Sequence, residues 1–298
     1  MTTTPIAPVN EPPPIPGVRR RRVVARGIDF LVTEAGDPDG LPVLLLHGWP
    51  QHHYCWRHLL GDPPAGLRLI APDLPGYGWS GPPPHKWFKQ EIVSDVLALM
   101  DALALERVLL VGHDWGGFVG HQLVLRAPER VLTYMALNIA HPWVTPRMLA
   151  PHLWRLLAYQ PAIAVFGYPL QRYTNLVGKA IGGSFVDRSQ ITREEIAWFM
   201  ERFRDPVCAR AGTDTYRTFL RYELPATARQ RETRRSVVPT LALFGSSDTA
   251  IHHSLADARS ANADDYRLEL VYHCGHFIAE ERPALVRRRL IDLAANFT

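Results

Sequence analysis

The sequence predicts an α/β protein whose mostly parallel, eight-stranded sheet is interrupted by an inserted helical cap. Short apolar runs alternate with amphipathic stretches in residues 22–139 and again in 226–298, which is typical of βα units. Residues 140–225 instead have mostly helical spacing and many aromatic side chains. The chain of 298 residues is therefore expected to form one α/β core with a cap over it.

Eight apolar runs are predicted strands, and the first two are expected to pair antiparallel around Gly27. Their ranges are 22–25, 30–34, 42–46, 67–71, 108–111, 131–136, 240–244 and 267–272. Helical spacing between or after them predicts helices over 92–105, 118–126 and 284–295. Ligands of such sheets bind outside the carboxyl ends of the parallel strands, where the cap is expected to form a lid.

Composition argues against several classes of protein. No apolar run is long enough to cross a membrane, so no membrane insertion is expected. The net charge is only +4, and no basic recognition motif predicts a nucleic-acid partner. Phosphate-binding glycine loops are missing, and no cofactor is expected. The unrelated spacings of Cys55, Cys208 and Cys274 favour a reducing compartment, so the predicted location is the cytoplasm.

Three polar segments are interpreted without a binding role. Residues 1–21 lack the apolar segment of a secretory signal and are predicted to be a flexible tail. At its end, the arginines at 19–22 are more easily explained as solvated than as an anion-binding site. The pairs His52–His53 and His252–His253 have no suitably spaced acidic partner, so they are predicted to be surface or loop residues and no metal site is expected.

The main chemical motif is the segment 112–117, Gly-His-Asp-Trp-Gly-Gly, between a predicted buried strand and a helix. This is the strand–turn–helix context of a nucleophile elbow, in which glycines allow a tight turn. Asp114 stands where a serine is usual, and the helix N-terminus favours its charged form. The alternative is that Asp114 only caps the helix, and the other motifs argue against it.

A second motif, His47-Gly48-Trp49-Pro50, follows the strand at 42–46. The loop at this place supplies one oxyanion donor in proteins with such an elbow, here the N–H of Trp49. The second donor would be the N–H of Trp115, directly after the nucleophile. His47 is interpreted as a structural residue, and Pro50 is expected to hold the loop through a cis bond.

A base and an acid follow the nucleophile in the expected chain order. His276 lies after the last predicted strand and before the last helix. Asp248 follows the strand at 240–244 and would orient and charge-stabilise His276. Asn138, at the end of an earlier strand, carries no charge and is excluded as the acid.

Together these motifs resemble the epoxide hydrolase and haloalkane dehalogenase branch of the α/β-hydrolase superfamily, over residues 22–296. The stretches 73–80 and 280–283 add to the resemblance. It implies that Asp114 attacks a saturated carbon and forms an ester, which water activated by His276 then hydrolyses. The implied partners are water and a small hydrophobic epoxide in an apolar pocket lined by Trp49, Trp115 and Phe277.

The tyrosines of the lid favour an epoxide as the substrate over a haloalkane. The oxygen of an opening epoxide becomes an alkoxide and needs a proton or a strong hydrogen bond, whereas a leaving halide needs no proton. Tyr216, in Thr-Tyr-Arg, is similar to the second lid tyrosine of epoxide hydrolases. Tyr159 is the preferred first tyrosine, with Tyr168 and Tyr173 as alternatives. Each of them could instead only pack in the lid.

Two other functions stay open. A haloalkane dehalogenase would use the Trp115 indole and a further donor. The Asn of one dehalogenase design is absent at Trp49, but a lid Trp among Trp143, Trp154 and Trp198 keeps another design open. Fluoroacetate dehalogenases favour Arg in place of Trp115. A non-catalytic ligand-binding relative is disfavoured by the complete Asp-Asp-His set. A homodimer is left open.

Overall fold

The computed structural model describes residues 11–229, 231–258 and 262–297, and in them eight strands form one sheet. The strand order is β1-β2-β4-β3-β5-β6-β7-β8, with β2 antiparallel to β1 and β4 and the other pairs parallel. The predicted mostly parallel sheet is confirmed. The strands are β1 Arg19–Ala25, β2 Ile28–Gly36, β3 Leu41–Leu46, β4 Leu67–Pro72, β5 Val108–His113, β6 Val131–Leu137, β7 Thr240–Gly245 and β8 Tyr266–Val271.

The first strand begins earlier than predicted and includes the arginine cluster. Arg21 forms an ion pair with Glu34 of β2 at 2.6 Å, and Arg22 forms one with Asp29 at 3.2 Å. The cluster is therefore strand with cross-strand partners instead of part of a solvated tail. Residues 1–10 of the predicted tail lie outside the described residues.

Three helices alternate along the chain with strands β3 to β6: α1 Arg57–Gly61, α2 Lys89–Ala102 and α3 Asp114–Arg126. Helix α3 begins at Asp114, four positions before the start that apolar spacing predicts. Glycines carry no side chain and leave no periodic signal, but Gly116 brings the helix very close to β3. A Cβ at Gly116 would lie 2.3 Å from the His47 carbonyl oxygen. The helix start is therefore decided by backbone proximity.

The helical cap lies between β6 and β7. Its helices are α4 Pro146–Leu149, α5 Leu153–Leu157, α6 Gln160–Tyr173, α7 Leu176–Ser184, α8 Arg193–Arg202, α9 Pro206–Thr218 and α10 Leu224–Arg229, with a π-helical turn at Phe219–Glu223 before α10. Helices α6 and α9 pack along each other. The chain closes with α11 Ile278–Glu281 and α12 Pro283–Ala294.

The central strands are buried on both faces, as expected where helices cover a parallel sheet. All six residues of β5 are buried. A continuous apolar core therefore holds the strand ends rigidly, and the loops that follow β3, β5, β7 and β8 meet at one edge. Within the described residues no helix combines the length and the apolar character needed to cross a membrane.

Candidate active site

Asp114 occupies a strained backbone position at the tip of the turn between β5 and α3. Its φ is +51°, in the left-handed region that costs a non-glycine residue about 1–3 kcal/mol. Gly48 in the loop after β3 faces it so closely that a Cβ there would lie 2.3 Å from Asp114 Oδ1. The carboxylate is therefore held against this loop at the carboxyl edge of the sheet.

The two oxygens of Asp114 have different surroundings. The backbone N–H of Trp49 donates to Oδ1 at 2.8 Å, whereas Oδ2 lies 3.6 Å from Nε2 of His276. Asp114 is also the first residue of α3, where the first amides of a helix lack internal acceptors and favour negative charge. The Trp49–Pro50 peptide is cis, as the sequence suggested.

His276 and Asp248 form a directly bonded pair. His276 Nδ1 donates to Asp248 Oδ2 at 2.8 Å, which leaves Nε2 directed at Asp114. The amide of Asn138 donates to the same Asp248 oxygen at 2.7 Å. The backbone N–H groups of Ala250 and Ile251 donate to Oδ1 at 2.7 and 3.1 Å. Asn138 therefore helps to hold the Asp248 carboxylate, a contact that the sequence did not indicate.

Two carboxylates keep a proton on His276. Burial alone would lower the pKa of this imidazole, but Asp248 and Asp114 outweigh burial and raise the pKa to about 10. Burial would raise the pKa of Asp248, and His276 with Asn138 lowers it instead. In the resting site an imidazolium therefore lies between two carboxylates.

Two neutral histidines support these loops. His113 Nε2 donates to the His276 carbonyl oxygen at 2.8 Å, and His47 Nε2 accepts from the Leu74 N–H at 2.9 Å. Burial lowers the pKa of each to about 4, so both rings are uncharged near neutral pH. His47 thus has the contacts expected of a structural residue. His113 was missed, because a histidine inside the elbow motif has no distinguishing spacing.

Tyr159 and Tyr216 lie together on the cap side of the site. Their ring centroids are 5.8 Å apart, and Tyr216 also contacts the rings of Trp49 and Trp115 at 5.4 and 5.3 Å. Burial raises the pKa of both phenols, and the charge of Asp114 raises it further. Both phenols are therefore protonated at neutral pH and able to donate.

The other aromatic candidates of the lid are placed differently. The Tyr168 hydroxyl accepts from Arg172 at 2.8 Å, and Tyr173 is 67% exposed. The indole N–H of Trp143 donates to the Arg234 carbonyl at 2.8 Å, and Trp154 is 63% exposed. Trp198 is only partly buried, against the main apolar core.

The indole N–H of Trp115 is a further polar group of the site. Its indole Nε1 is buried and has no acceptor at hydrogen-bonding distance among the described residues. This N–H lies close enough to the Tyr216 hydroxyl to favour the charged form of that phenol, which opposes the rise in its pKa. The indole N–H is therefore available to a ligand beside Asp114.

A cavity of about 620 Å³ opens above Asp114, Trp115 and Tyr159. Most of the other lining side chains are apolar and come from α3, the segment after β6, the cap and the loop after β7: Phe118, Ile139, Val144, Leu149, Leu156, Phe219, Leu224, Ile251 and Leu255. Charged residues also line the cavity, namely Lys89, Glu223, Arg231, Glu232 and Arg234. A cavity whose lining is mostly apolar and includes a carboxylate and a phenol suits a small hydrophobic ligand.

Phe277 and Trp49 are not among the residues that line this cavity, contrary to the expectation from the sequence. The Phe277 ring packs on His276, His113 and Phe185. The Trp49 indole N–H donates to Gln171 of the cap at 2.8 Å, and its ring stacks on Tyr159. Both side chains are therefore buried in contacts with other residues and do not line the open space.

Lys89 is a buried cation that sequence reasoning missed. Its ammonium donates to the Thr215 carbonyl at 2.7 Å and to Thr218 Oγ1 at 3.3 Å, and it pairs with Glu223 at 2.6 Å. It also lies 4.5 Å from the centroid of the Trp115 ring. Burial lowers its pKa to about 8, although Glu223 opposes this. Lys89, at the start of α2, therefore holds the end of α9, which carries Tyr216, against α2.

His52 and His53 lie in the connection after β3, but the expectation that they lie at the surface without an acidic partner is wrong. Both are fully buried, and Asp73 supplies the acidic partner. Asp73 Oδ1 accepts from His53 Nδ1 and from its backbone N–H, both at 2.8 Å, and Oδ2 accepts from Trp79 N–H at 2.9 Å. The side-chain ligand atoms of His52, His53 and Asp73 lie close enough together to hold a metal ion. The Asp73 carboxylate, however, already accepts hydrogen bonds from two loops and holds them together.

The second histidine pair contacts the cap. His252 stacks on His152 with ring centroids 4.0 Å apart, and both histidines bond to Ser254. Arg155 of α5 donates to the Asp248 carbonyl oxygen at 2.8 Å. These contacts join the cap to the loop that carries Asp248.

Comparison with known proteins agrees with this architecture. Residues 42–283 match the family described as alpha/beta hydrolase fold. AB hydrolase superfamily protein YfhM of Bacillus subtilis (strain 168) is 30% identical over 293 residues, which cover 94% of this chain and 99% of the relative. The chain therefore belongs to the α/β-hydrolase fold family, and it is a hydrolase.

Further relatives share both sequence and fold. Epoxide hydrolase A of Mycobacterium tuberculosis (strain ATCC 25618 / H37Rv) is 28% identical over 317 residues, covering 91% of this chain and 96% of the relative. The crystal structure of Epoxide Hydrolase A from Mycobacterium thermoresistibile has a TM-score of 0.76 at 25% identity, covering 93% of this chain and 98% of that one.

Proposed function

We propose that this protein is an epoxide hydrolase that uses Asp114 as its nucleophile and forms a vicinal diol. The observation that carries the proposal is the pair of protonated phenols, Tyr159 and Tyr216, on the cap side of a carboxylate that is held by Trp49 and faced by His276. Relatives named as epoxide hydrolases, which cover nearly the whole chain, support the same substrate class.

In the first step Asp114 Oδ2 attacks an epoxide carbon, because Oδ1 is engaged by the Trp49 N–H. A carbon–oxygen bond forms to Asp114 as the carbon–oxygen bond of the epoxide breaks. The electron pair stays on the epoxide oxygen, which takes a proton from Tyr216 or Tyr159. The product is an alkyl ester of Asp114 with a free hydroxyl on the neighbouring carbon.

The second step requires a neutral His276. Esterification removes the charge of Asp114, one of the two that raise the pKa of His276, so the imidazole can release its proton. That proton restores the phenol. Neutral His276 then takes a proton from water, and the hydroxide attacks Cγ of the ester. The oxyanion develops on Oδ1, where the N–H groups of Trp49 and Trp115 stabilise it. Its collapse breaks the Cγ–Oδ2 bond, and the leaving alkoxide takes a proton from His276, so the diol carries Oδ2 away. The water oxygen stays in the Asp114 carboxyl group, which gives its proton back to His276.

A haloalkane dehalogenase with the same triad is the second candidate. The observation that favours it is the Trp115 indole N–H, which is buried and has no acceptor at bonding distance in the described part of the chain. It could bind a leaving halide. A non-catalytic ligand-binding relative is the third candidate, and it would bind a ligand in the cavity without turnover.

Parallel turnover of styrene oxide and 1-bromobutane tests the proposal. We expect diol from the first substrate and no bromide from the second, because phenols assist an alkoxide and not a halide. Bromide without diol would move the protein to the dehalogenases. Saturable binding of styrene oxide without either product would favour the non-catalytic alternative.

Replacing Tyr216 with phenylalanine is expected to slow ester formation from styrene oxide by about 10²-fold or more, since one proton donor is lost. Burst kinetics of ester formation measure this step. The matched control is Tyr168→Phe, which removes the lid hydroxyl that accepts from Arg172. An equal loss in both variants would mean that Tyr216 acts only through packing.

The cytoplasmic location is also a proposal. All three cysteines, Cys55, Cys208 and Cys274, are buried and free. Free thiols persist in a reducing compartment, which supports this location.

A further inference from the structure

Helix α6 is apolar on two opposite faces. Ile163, Ala164 and Gly167 are buried against the rest of the protein. The outer face also carries apolar residues, at i, i+3, i+4, i+7 and i+11, which lie on one side of a helix. These outer residues are Ala162, Val165, Phe166, Pro169 and Tyr173, and all are exposed. Val165, Phe166 and Tyr173 are 62%, 61% and 67% exposed.

Helix α5, which contacts α6, extends the exposed apolar surface. Trp154 is 63% exposed and Leu157 is 55% exposed. Contiguous exposed apolar surface of this kind is uncommon on a soluble monomer and usually marks an interaction site. We call the exposed side chains of α5 and α6 the outer cap face.

Arginines lie against the aromatic rings of the outer cap face. The Arg155 guanidinium is 5.1 Å from the centroid of the Trp154 ring, and that of Arg172 is 5.0 Å from the Tyr173 ring. Arg147 and Lys179, just before and after these helices, add two exposed cations. Within the described residues none of these four cations forms an ion pair with a carboxylate.

Acidic residues are missing from this part of the sequence. No Asp or Glu occurs between Glu129 and Asp187, although the whole chain has 29 of them. The outer cap face therefore combines aromatic and aliphatic side chains with cations, and its own stretch of the sequence carries no acidic residue. A partner that fits it must be both apolar and negatively charged.

We propose that the outer cap face docks the protein on the surface of an anionic lipid bilayer. Phe166, Val165 and Trp154 would enter the boundary between headgroups and acyl chains, as the apolar side of an interfacial helix does. The exposed cations Arg147 and Lys179 would bind lipid phosphates, each adding about 1 kcal/mol near such a surface. The protein would lie on the bilayer without crossing it.

A second copy of this chain fits less well. In a two-fold symmetric dimer the same patch faces itself, so the four cations of one protomer would oppose those of the other with no carboxylate between Glu129 and Asp187 to pair with them. Anionic lipid satisfies the apolar surface and the charge together.

The outer cap face includes the outer side of α5, a helix that also contributes to the cavity wall. Leu156 of α5 lines the cavity, whereas Trp154 and Leu157 of the same helix are exposed outside. If the proposed function holds, an apolar substrate dissolved in the bilayer is held near the cavity. The docking itself does not depend on that function.

Vesicle co-sedimentation of the full chain tests the docking. We expect binding to vesicles of phosphatidylcholine with 30% phosphatidylglycerol and at least tenfold weaker binding to phosphatidylcholine alone. The variant Val165→Ser/Phe166→Ser should lose at least tenfold in partition coefficient. The variant Arg147→Gln/Lys179→Gln should lose about fivefold per cation, and this loss should vanish at high salt.

The matched control is Val237→Ser/Tyr272→Ser, which removes an aliphatic and an aromatic side chain that are 58% and 74% exposed on the core. It should bind vesicles as the unchanged protein does. Equal binding by all variants, or no binding to anionic vesicles, would overturn the proposal. A concentration-dependent dimer that Val165→Ser/Phe166→Ser abolishes, without vesicle binding, would assign the face to a second copy. Circular dichroism checks that each variant is folded.

Discussion

The variant Asp114→Ala is expected to lower kcat for styrene oxide by at least about 10⁴-fold, because no other group can form the ester. Trp49 N–H and His276 both converge on this carboxylate, and in the described residues of the cavity no second carboxylate has that pair of contacts. Diol formation, followed with enzyme in excess over substrate, measures the loss.

The backbone of Asp114 calls for a second variant. Its φ of +51° suits Asn better than Ala, so Asp114→Asn keeps the shape and removes only the charge. It should be as inactive as Asp114→Ala, with intact mass confirming that the amide persists. Diol formation by either variant at a tenth of the normal rate would mean that water attacks the epoxide directly and that Asp114 is not the nucleophile.

The variant His276→Gln is expected to form the alkyl ester and fail to hydrolyse it. Attack by Asp114 needs no base, whereas hydrolysis needs a group that takes a proton from water, and an amide cannot do so at neutral pH. We expect ester hydrolysis to slow by at least about 10³-fold, so one equivalent of substrate stays bound to the protein. Intact-mass analysis after mixing with styrene oxide measures this adduct.

Two further variants make the result for His276 specific. Asp248→Asn keeps the imidazole but removes the charge that stabilises its protonated form, so the adduct should accumulate and then decay slowly. His58→Gln changes an exposed histidine of α1 and should leave no adduct. A His276→Gln protein that turns over without an adduct would show that another group activates the water.

The strands and the proximity of Asp114, Asp248 and His276 are the features of this protein that the sequence alone predicts best. Buried parallel strands are continuous apolar runs, and the residues that follow them are then at one edge of the sheet by topology. Topology therefore predicts that Asp114, Asp248 and His276 lie near one another. In the structure His276 Nδ1 lies 2.8 Å from Asp248 Oδ2 and His276 Nε2 lies 3.6 Å from Asp114 Oδ2.

Only the tertiary structure shows which side chains contact one another and which of them line the cavity. Phe277 follows His276 directly but does not line the cavity, and His52 and His53, which were not expected to have an acidic partner, are buried beside Asp73. Lys89 contacts Thr215, which is 126 positions away in the chain. Local periodicity carries no record of contacts this distant, because they arise only when the cap folds over the sheet. Sequence by itself therefore determined the sheet and the order of Asp114, Asp248 and His276 along the chain, and packing of the cap against the core decided the cavity walls, the contacts of the lid phenols and the buried cation.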